Sequence, residues 1–283
     1  MQPILIRPIT EECRGRLVSL INFERHVHRH LDWHSPVDWI GFTPFLVAEQ
    51  QGKMIAVLAC PPEPNPIAWI RLFAVSNPIS PERAWRELWP VALEELSSYS
   101  RVPTVFAMPL NLWFRSILEA SGFSIVDRVA MLAWPAGNLP KEVGNRQIAI
   151  RLMEEKDLKA VEKVDRAAFS PIWQNSYMSL EIAFRGAVIA TVAESTDGVV
   201  GYQISTITAL GGHIARLAVC PDVQGKGIGY NLVCDVLARF LQRGARTITV
   251  NTQINNQASL SIYQTVGFQN TGEEYPVFRY LPT

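Results

Sequence analysis

No apolar run in these 283 residues reaches the roughly 20 positions that a membrane-spanning helix needs. The start, Met1-Gln2-Pro3-Ile4-Leu5, lacks the charged and apolar segments of a secretory leader. Cysteine is scarce: Cys13, Cys60, Cys220 and Cys234 stand far apart, with no CxxC spacing. That argues against a disulfide framework and for free thiols in a reduced, cytoplasmic setting. Neither sign of charge prevails, since 26 basic and 26 acidic residues give a formal net charge of zero. A chain so balanced has no global pull toward nucleic acid or an anionic membrane, and neither is expected as a partner. What the chain does have is apolar material, 48% of its residues, and a length that fits two domains.

The two halves of the chain correspond. Leu5-Ile6-Arg7-Pro8 matches Ala149-Ile150-Arg151-Leu152, shifted by 144. Val47-Ala48-Glu49 matches Val192-Ala193-Glu194, shifted by 145. Ile70-Arg71-Leu72-Phe73-Ala74-Val75 matches Ala215-Arg216-Leu217-Ala218-Val219, and Ser121-Gly122-Phe123 matches Val266-Gly267-Phe268. Four matches in order, at one domain-sized spacing, imply a duplicated domain. Pro, Gly and Asn collect between Pro135 and Asn145. The expected division is 1–136, a linker at 137–146, and 147–283.

The second half has the clearer pattern. A strand is expected near Gln147–Leu152, helices over Asp157–Ala168 and about Gln174–Phe184, and strands over Ala187–Ala193, Val199–Ile207 and His213–Val219. Ile228, Leu232, Val233, Val236, Leu237, Phe240 and Leu241 form one helical stripe, and Gly244 is a natural stop. A strand at Thr247–Thr252, a helix at Gln257–Thr265 and two strands in Phe268–Leu281 complete the set. This order implies an α/β fold, a mixed sheet with helices on both faces.

Gln224-Gly225-Lys226-Gly227-Ile228-Gly229 lies between the strand ending at Val219 and the long helix. Glycines let backbone approach a ligand closely, and a helix N-terminus attracts anions. The run is an anion site, most simply for phosphate. A dinucleotide fingerprint needs GxGxxG, and the last position here is Tyr230. A P-loop needs Ser or Thr after its lysine, and Lys226 is followed by Gly227.

The stretch Leu217-Ala218-Val219 through Gly229 resembles the acetyl-CoA signature of the GNAT N-acetyltransferase superfamily. Asn256, then Tyr263, then Gly267-Phe268 resembles the second signature of that family. The resemblance covers about Gln147 to Pro282, and the first half resembles a degenerate copy. It implies two tandem GNAT domains, each a mixed sheet flanked by helices, and acetyl transfer to a primary amine in the second. It also implies that Gln224, Gly225, Lys226, Gly227, Ile228 and Gly229 cradle the pyrophosphate of acetyl-CoA. The strand residues Leu217, Ala218 and Val219 would line the pantetheine arm, with Asn256 and Tyr263 also near the cofactor. Asn256 is equally readable as a helix N-cap.

Expelling a thiolate calls for an acid, and Tyr263 is the candidate by resemblance. Deprotonating an amine calls for a base. The strand His213-Ile214-Ala215-Arg216-Leu217 carries no carboxylate, so His213 is the candidate, with Glu194, Glu273 and Glu274 as others. The missing carboxylate keeps a second reading open, a non-catalytic CoA-binding or interaction module. The acceptor would be a small-molecule or peptide amine. Tandem architecture resembles mycothiol synthase, whereas Asn256–Phe268 resembles the N-terminal and ribosomal-protein acetyltransferases. Phe169, Ile172, Trp173 and Tyr177 are readable as an acceptor pocket or as core. A monomer or homodimer fits the chain equally.

In the first half, Ser76-Asn77-Pro78-Ile79-Ser80-Pro81 replaces the glycine loop, and Leu118 stands where Tyr263 would. This copy is not expected to bind acetyl-CoA productively. His26, His28, His30 and His34 are four of the five histidines, and His26, His30 and His34 fall at i, i+4 and i+8, which a continuous helix aligns on one face. No carboxylate or cysteine completes a metal set, so a polar face or cleft rim is the simpler reading and no metal is expected.

Overall fold

The computed structural model describes residues 3–135, 137, 139–140, 148–208 and 211–281. The linker expected over 137–146, and Gln147 beyond it, lie largely outside the described residues. The chain divides into two compact units, Met1–Asp127 with Tyr275–Thr283, and Arg128–Glu274. Both are mixed α/β. No helix among the described residues is long and apolar enough to cross a membrane.

The first unit contains β1 (Leu5–Pro8), α1 (Arg14–Phe23), β2 (His26–Arg29), β3 (Phe45–Gln50), β4 (Lys53–Ala59), β5 (Ile67–Trp69), β6 (Leu72–Val75), α2 (Pro81–Ser97), β7 (Thr104–Ala107) and α3 (Leu112–Glu119). A long strand, β8 (Phe123–Pro135), carries the chain from the first unit into the second. The second unit continues with β9 (Ala149–Leu152), α4 (Leu158–Ala168), α5 (Tyr177–Arg185), β10 (Ile189–Ser195), β11 (Gly198–Thr208), β12 (Gly211–Val219), α6 (Ile228–Gln242), β13 (Thr247–Gln253) and α7 (Gln257–Val266). The last strand, β14 (Gln269–Tyr280), returns to the first unit.

The tail is therefore one strand, not two. In the second unit the place beside β13 is taken by β8, which pairs antiparallel from Thr247↔Pro135 to Gln253↔Val129. In the first unit the end of β14 pairs with β7, Phe278↔Ala107 and Arg279↔Phe106. Each unit is thus completed by a strand from the opposite half of the sequence. Strand order in the second unit is β9-β10-β11-β12-β13-β8, and in the first β1-β3-β4-β6-β2 with β5 beside β7. The helical stripe of α6 is buried as its spacing requires: Leu232, Val233, Val236, Leu237 and Phe240 are fully inaccessible.

The duplication is visible in side chains. Arg7 grips Glu49 with two bonds, Nε to Oε2 at 3.0 Å and Nη2 to Oε1 at 2.9 Å. Its counterpart Arg151 grips Glu194 the same way, at 2.8 and 3.1 Å. Both arginines donate to the carbonyl of the next residue, Pro8 at 3.2 Å and Leu152 at 3.1 Å. The third partner differs. Arg151 also holds Asp157, at 2.7 and 2.9 Å, whereas Arg7 meets the Cys13 thiol at 3.5 Å. Burial pushes that thiol up, yet the hydrogen bonds from Thr10 and Arg7 outweigh it and leave Cys13 below the usual thiol range.

The histidines do not lie on a helix. β2 is a strand, and alternation sends His26, His28 and His30 to one side. Each meets an aromatic ring: His26 edge-on to Trp113 at 5.3 Å, His28 against Phe114 at 4.3 Å, His30 stacked on Trp69 at 4.7 Å. His34 lies beyond the strand, 4.4 Å from Trp39. The i, i+4 spacing that suggested a helix competes here with a period of two, and packing against aromatics decides it. No cluster of metal-ligating side chains occurs among the described residues.

Candidate functional site

The second unit sets Tyr263 in the core on the α6 face of the sheet, with Ile214 and Val250, and strand alternation puts His213 on the face opposite Ile214. β12 pairs with β13 in parallel only at Gly212↔Ile248, His213↔Thr249 and Ile214↔Val250. On its other edge it pairs with β11 as far as Gly201↔Val219. The register with β11 jumps from Ile204↔Arg216 to Ser205↔Ile214, so Ala215 is an extra residue in β12. Such a bulge bends a strand and re-aims its side chains. Here it falls where the rungs to β13 end.

Main-chain direction follows from one bond. Cys220 N–H donates to Val200 O of the β11 side at 2.8 Å. Groups alternate along a strand, so Ala218 also faces β11, while Leu217 and Val219 face the opposite edge. On that edge Val219 O accepts from Gln224 Nε2 at 2.9 Å, which ties the loop to the strand. Gly225 and Gly227 are left-handed, with φ of 76° and 78°, a conformation that side chains other than glycine rarely adopt. The turn they make delivers the chain into α6 at Ile228, whose first turn has no acidic residue. N–H groups and the positive end of the helix dipole therefore converge on the loop. An extended, amide-bearing group ending in pyrophosphate fits this strand edge and this loop.

Tyr263 lies on α7 in the core, 5% exposed, with its ring 5.3 Å from Phe268. Burial pushes its phenol up, so it stays protonated at neutral pH. Asn256 caps α7: its Oδ1 accepts from Ser259 N–H at 3.1 Å. His213 Nδ1 is 2.8 Å from Thr249 Oγ1, and burial lowers the imidazole pKa, which favours the neutral ring. Glu194 is taken up by Arg151, and Glu273 and Glu274 lie on the exposed part of β14.

One network escaped sequence reasoning. Buried Asp165 of α4 accepts from the Tyr202 hydroxyl of β11 and from Arg216 of β12, Nε at 2.8 Å and Nη2 at 2.6 Å. Arg216 also donates to Trp173 O at 2.5 Å, and its guanidinium lies over the Phe169 ring at 3.6 Å. Asp165 Oδ1 accepts from Asn175 N–H at 2.8 Å. The network pins the 169–176 segment to the bulged strand. Burial pushes the Tyr202 hydroxyl well up, so it stays a neutral donor to the carboxylate. Phe169 and Trp173 thus serve this anchor and stay half-buried. Tyr177 joins Lys159, Glu162, Lys163 and Arg166 around an open groove of about 440 Å³ on α4, apart from Tyr263 and His213.

The first unit repeats the layout, with its strand edge filled. β5 runs parallel to β7 from Ile67↔Thr104, as β12 does to β13 from Gly212↔Ile248, with offsets of 145 and 144. Beyond that point β6 is the counterpart of the free edge of β12. In the first unit this edge is occupied: β2 pairs with it from His26↔Val75 to Arg29↔Leu72. Leu118, at the position of Tyr263, is fully buried in the core.

Residues 152–277 match the family model described as Acetyltransferase (GNAT) domain. N-alpha-acetyltransferase 30 of Schizosaccharomyces pombe is 38% identical over 61 residues, 22% of this chain and 41% of that protein. Mycothiol acetyltransferase of Renibacterium salmoninarum is 26% identical over 148 residues, 47% of this chain and 43% of that protein. The chain therefore spans less than half the length of these two relatives. A tandem GNAT protein from the clavulanic acid biosynthesis pathway, solved without acetyl-CoA, superposes with a TM-score of 0.66 at 14% identity, covering 99% of this chain and 100% of that one. Residues 152–277 therefore form a GNAT acetyltransferase domain, and the fold of the chain is similar to that of a tandem GNAT protein.

Proposed function

We propose that the chain transfers acetyl from acetyl-CoA directly to a primary amine, at a single site in the second unit. The observation that carries this is the parting of β12 from β13 after Ile214↔Val250, beside a glycine loop that opens α6. Loop N–H groups from Gln224 to Gly229 and the Lys226 charge receive the pyrophosphate. Main-chain groups of Leu217 and Val219 pair with the pantetheine amides, as an added strand would. Asn256 fixes the start of α7 and so the height of Tyr263.

The chemistry then follows from the side chains. His213 takes one proton from the ammonium and frees its lone pair. The nitrogen attacks the thioester carbonyl, and the C–S bond breaks as the C–N bond is made. Tyr263 gives its proton to the departing sulfur and is recharged, through solvent, by the second proton the nitrogen loses. The acceptor is a small-molecule or peptide amine, and the free-thiol composition suits a cytoplasmic setting.

Titration calorimetry with acetyl-CoA is expected to give one saturable site per chain. The first unit contributes none, because β2 fills its strand edge and Pro78 and Pro81 replace the glycines. A stoichiometry of two would overturn the assignment of the first unit, and no saturable binding would overturn the whole reading. Thiol release from acetyl-CoA in the presence of primary amines separates an enzyme from a non-catalytic CoA-binding module.

A further inference from the structure

The proposed reaction leaves open what holds the acceptor nitrogen while His213 takes its proton. Among the described residues of the second unit, the side-chain oxygen of Asn251 is buried and has no hydrogen-bond partner. A buried carbonyl without a donor is disfavoured, and one that persists calls for an explanation, a bound donor group among them. Its place is specific. Asn251 is the first residue of β13 past the last rung to β12, Ile214↔Val250. On its other side β13 stays paired there, Asn251↔Met131, so the backbone is fixed.

Alternation puts Asn251 on the same face of β13 as Thr249. Thr249 Oγ1 is the partner of His213 Nδ1 at 2.8 Å. The Thr249 hydroxyl donates to Gly212 O at 3.4 Å, so it accepts the Nδ1 proton of His213. That leaves the imidazole lone pair on Nε2, the nitrogen that acts as base. The orphan amide oxygen and the base are thus carried on one face, where the two strands begin to part.

We propose that Asn251 determines specificity for amines by accepting one N–H of the acceptor nitrogen. This rests on the transfer reading above. A primary ammonium has three N–H groups: one is held by Asn251, one passes to His213, and the lone pair so freed points at the acyl carbon. The amide oxygen is too weak a base to take the proton itself, so it orients without competing with His213. A neutral oxygen nucleophile supplies one proton only and satisfies one of the two partners.

S-ethyl-CoA and S-(2-aminoethyl)-CoA test this without knowledge of the natural acceptor, because the second places an ammonium beside the sulfur. The wild-type protein is expected to bind the aminoethyl compound about tenfold or more tighter, the range of a charge-assisted hydrogen bond. Asn251→Ala is expected to abolish that preference and leave S-ethyl-CoA affinity unchanged. Asn251→Asp, which keeps an oxygen acceptor and adds charge, should keep or enlarge the preference, and it stands in if the alanine variant does not fold. No preference in the wild type, or a preference that survives in Asn251→Ala, overturns the proposal. Failure of both compounds and of acetyl-CoA to bind would instead overturn the transfer reading beneath it.

Discussion

Replacing Tyr263 by phenylalanine is expected to lower kcat about 100-fold or more while acetyl-CoA affinity stays within about twofold, the lower range for loss of a general acid. The change removes one oxygen and leaves the ring where it is, against Phe268 in the core beneath α6. Thermal stability should therefore hardly move. Two effects act on the phenol. Burial raises its pKa, which keeps the proton in place over the whole neutral range. Transfer from a phenol to a thiolate of ordinary pKa is uphill, and the same rise makes it more so, so transfer must be concerted with C–S cleavage. Thiol release under saturating acetyl-CoA measures the turnover, and calorimetry measures the affinity. If turnover and affinity fall together, Tyr263 is a packing residue and the acid lies elsewhere.

What was legible in the sequence was local. Glycines at 225, 227 and 229 predict close backbone approach from residue type alone, and in the structure Gly225 and Gly227 are left-handed. The α6 stripe predicts its buried face, because helical periodicity needs only neighbours in sequence. Asn256 shows as an N-cap for the same reason. Contacts set by distant segments were not legible. Strand β8 completes the sheet of the second unit although it precedes that domain in sequence, and the tail pattern alone predicts two strands in its place. The bulge at Ala215 has no residue signature, since it is a register difference with β11. Asp165, Tyr202 and Arg216 come from three separate elements, and nothing in any one of them announces the network. The histidines gave the opposite lesson. His26, His28 and His30 satisfy a period of two as well as His26, His30 and His34 satisfy a helical one, and only Trp113, Phe114 and Trp69 choose between them.

Lowering the pH from 7 to 4 is expected to remove about 3 kcal/mol of stability from the first unit through His28 alone. The ring is 1% exposed, lies against Phe114, and donates from Nε2 to Ile70 O at 3.2 Å. Burial lowers its pKa from 6.5 to about 4. The sign follows from proton counts. Between those two values the unfolded chain carries a proton on His28 and the folded chain does not. The unfolded state binds more protons there, so stability falls as pH falls through that window and is full above about 6.5. His30, lowered well below its ordinary range by burial and then by Arg71 and His28, acts in the same direction. Carboxylates held low by arginine, Glu49 in this unit among them, also lose stability in acid, so the total drop does not isolate the histidine. The difference between wild type and His28→Gln does, because glutamine does not titrate and any fixed loss of packing cancels when slopes are compared. Six of the eight tryptophans, from Trp33 to Trp113, lie in the first unit, so urea unfolding followed by tryptophan fluorescence reports chiefly on it. The variant should lose about 3 kcal/mol less than wild type between pH 7 and 4, and equal slopes would refute a neutral buried His28. The same titration bears on the duplicated fold. β2 is the strand that fills the edge left free in the second unit, and its buried His28 favours that place while the ring is uncharged.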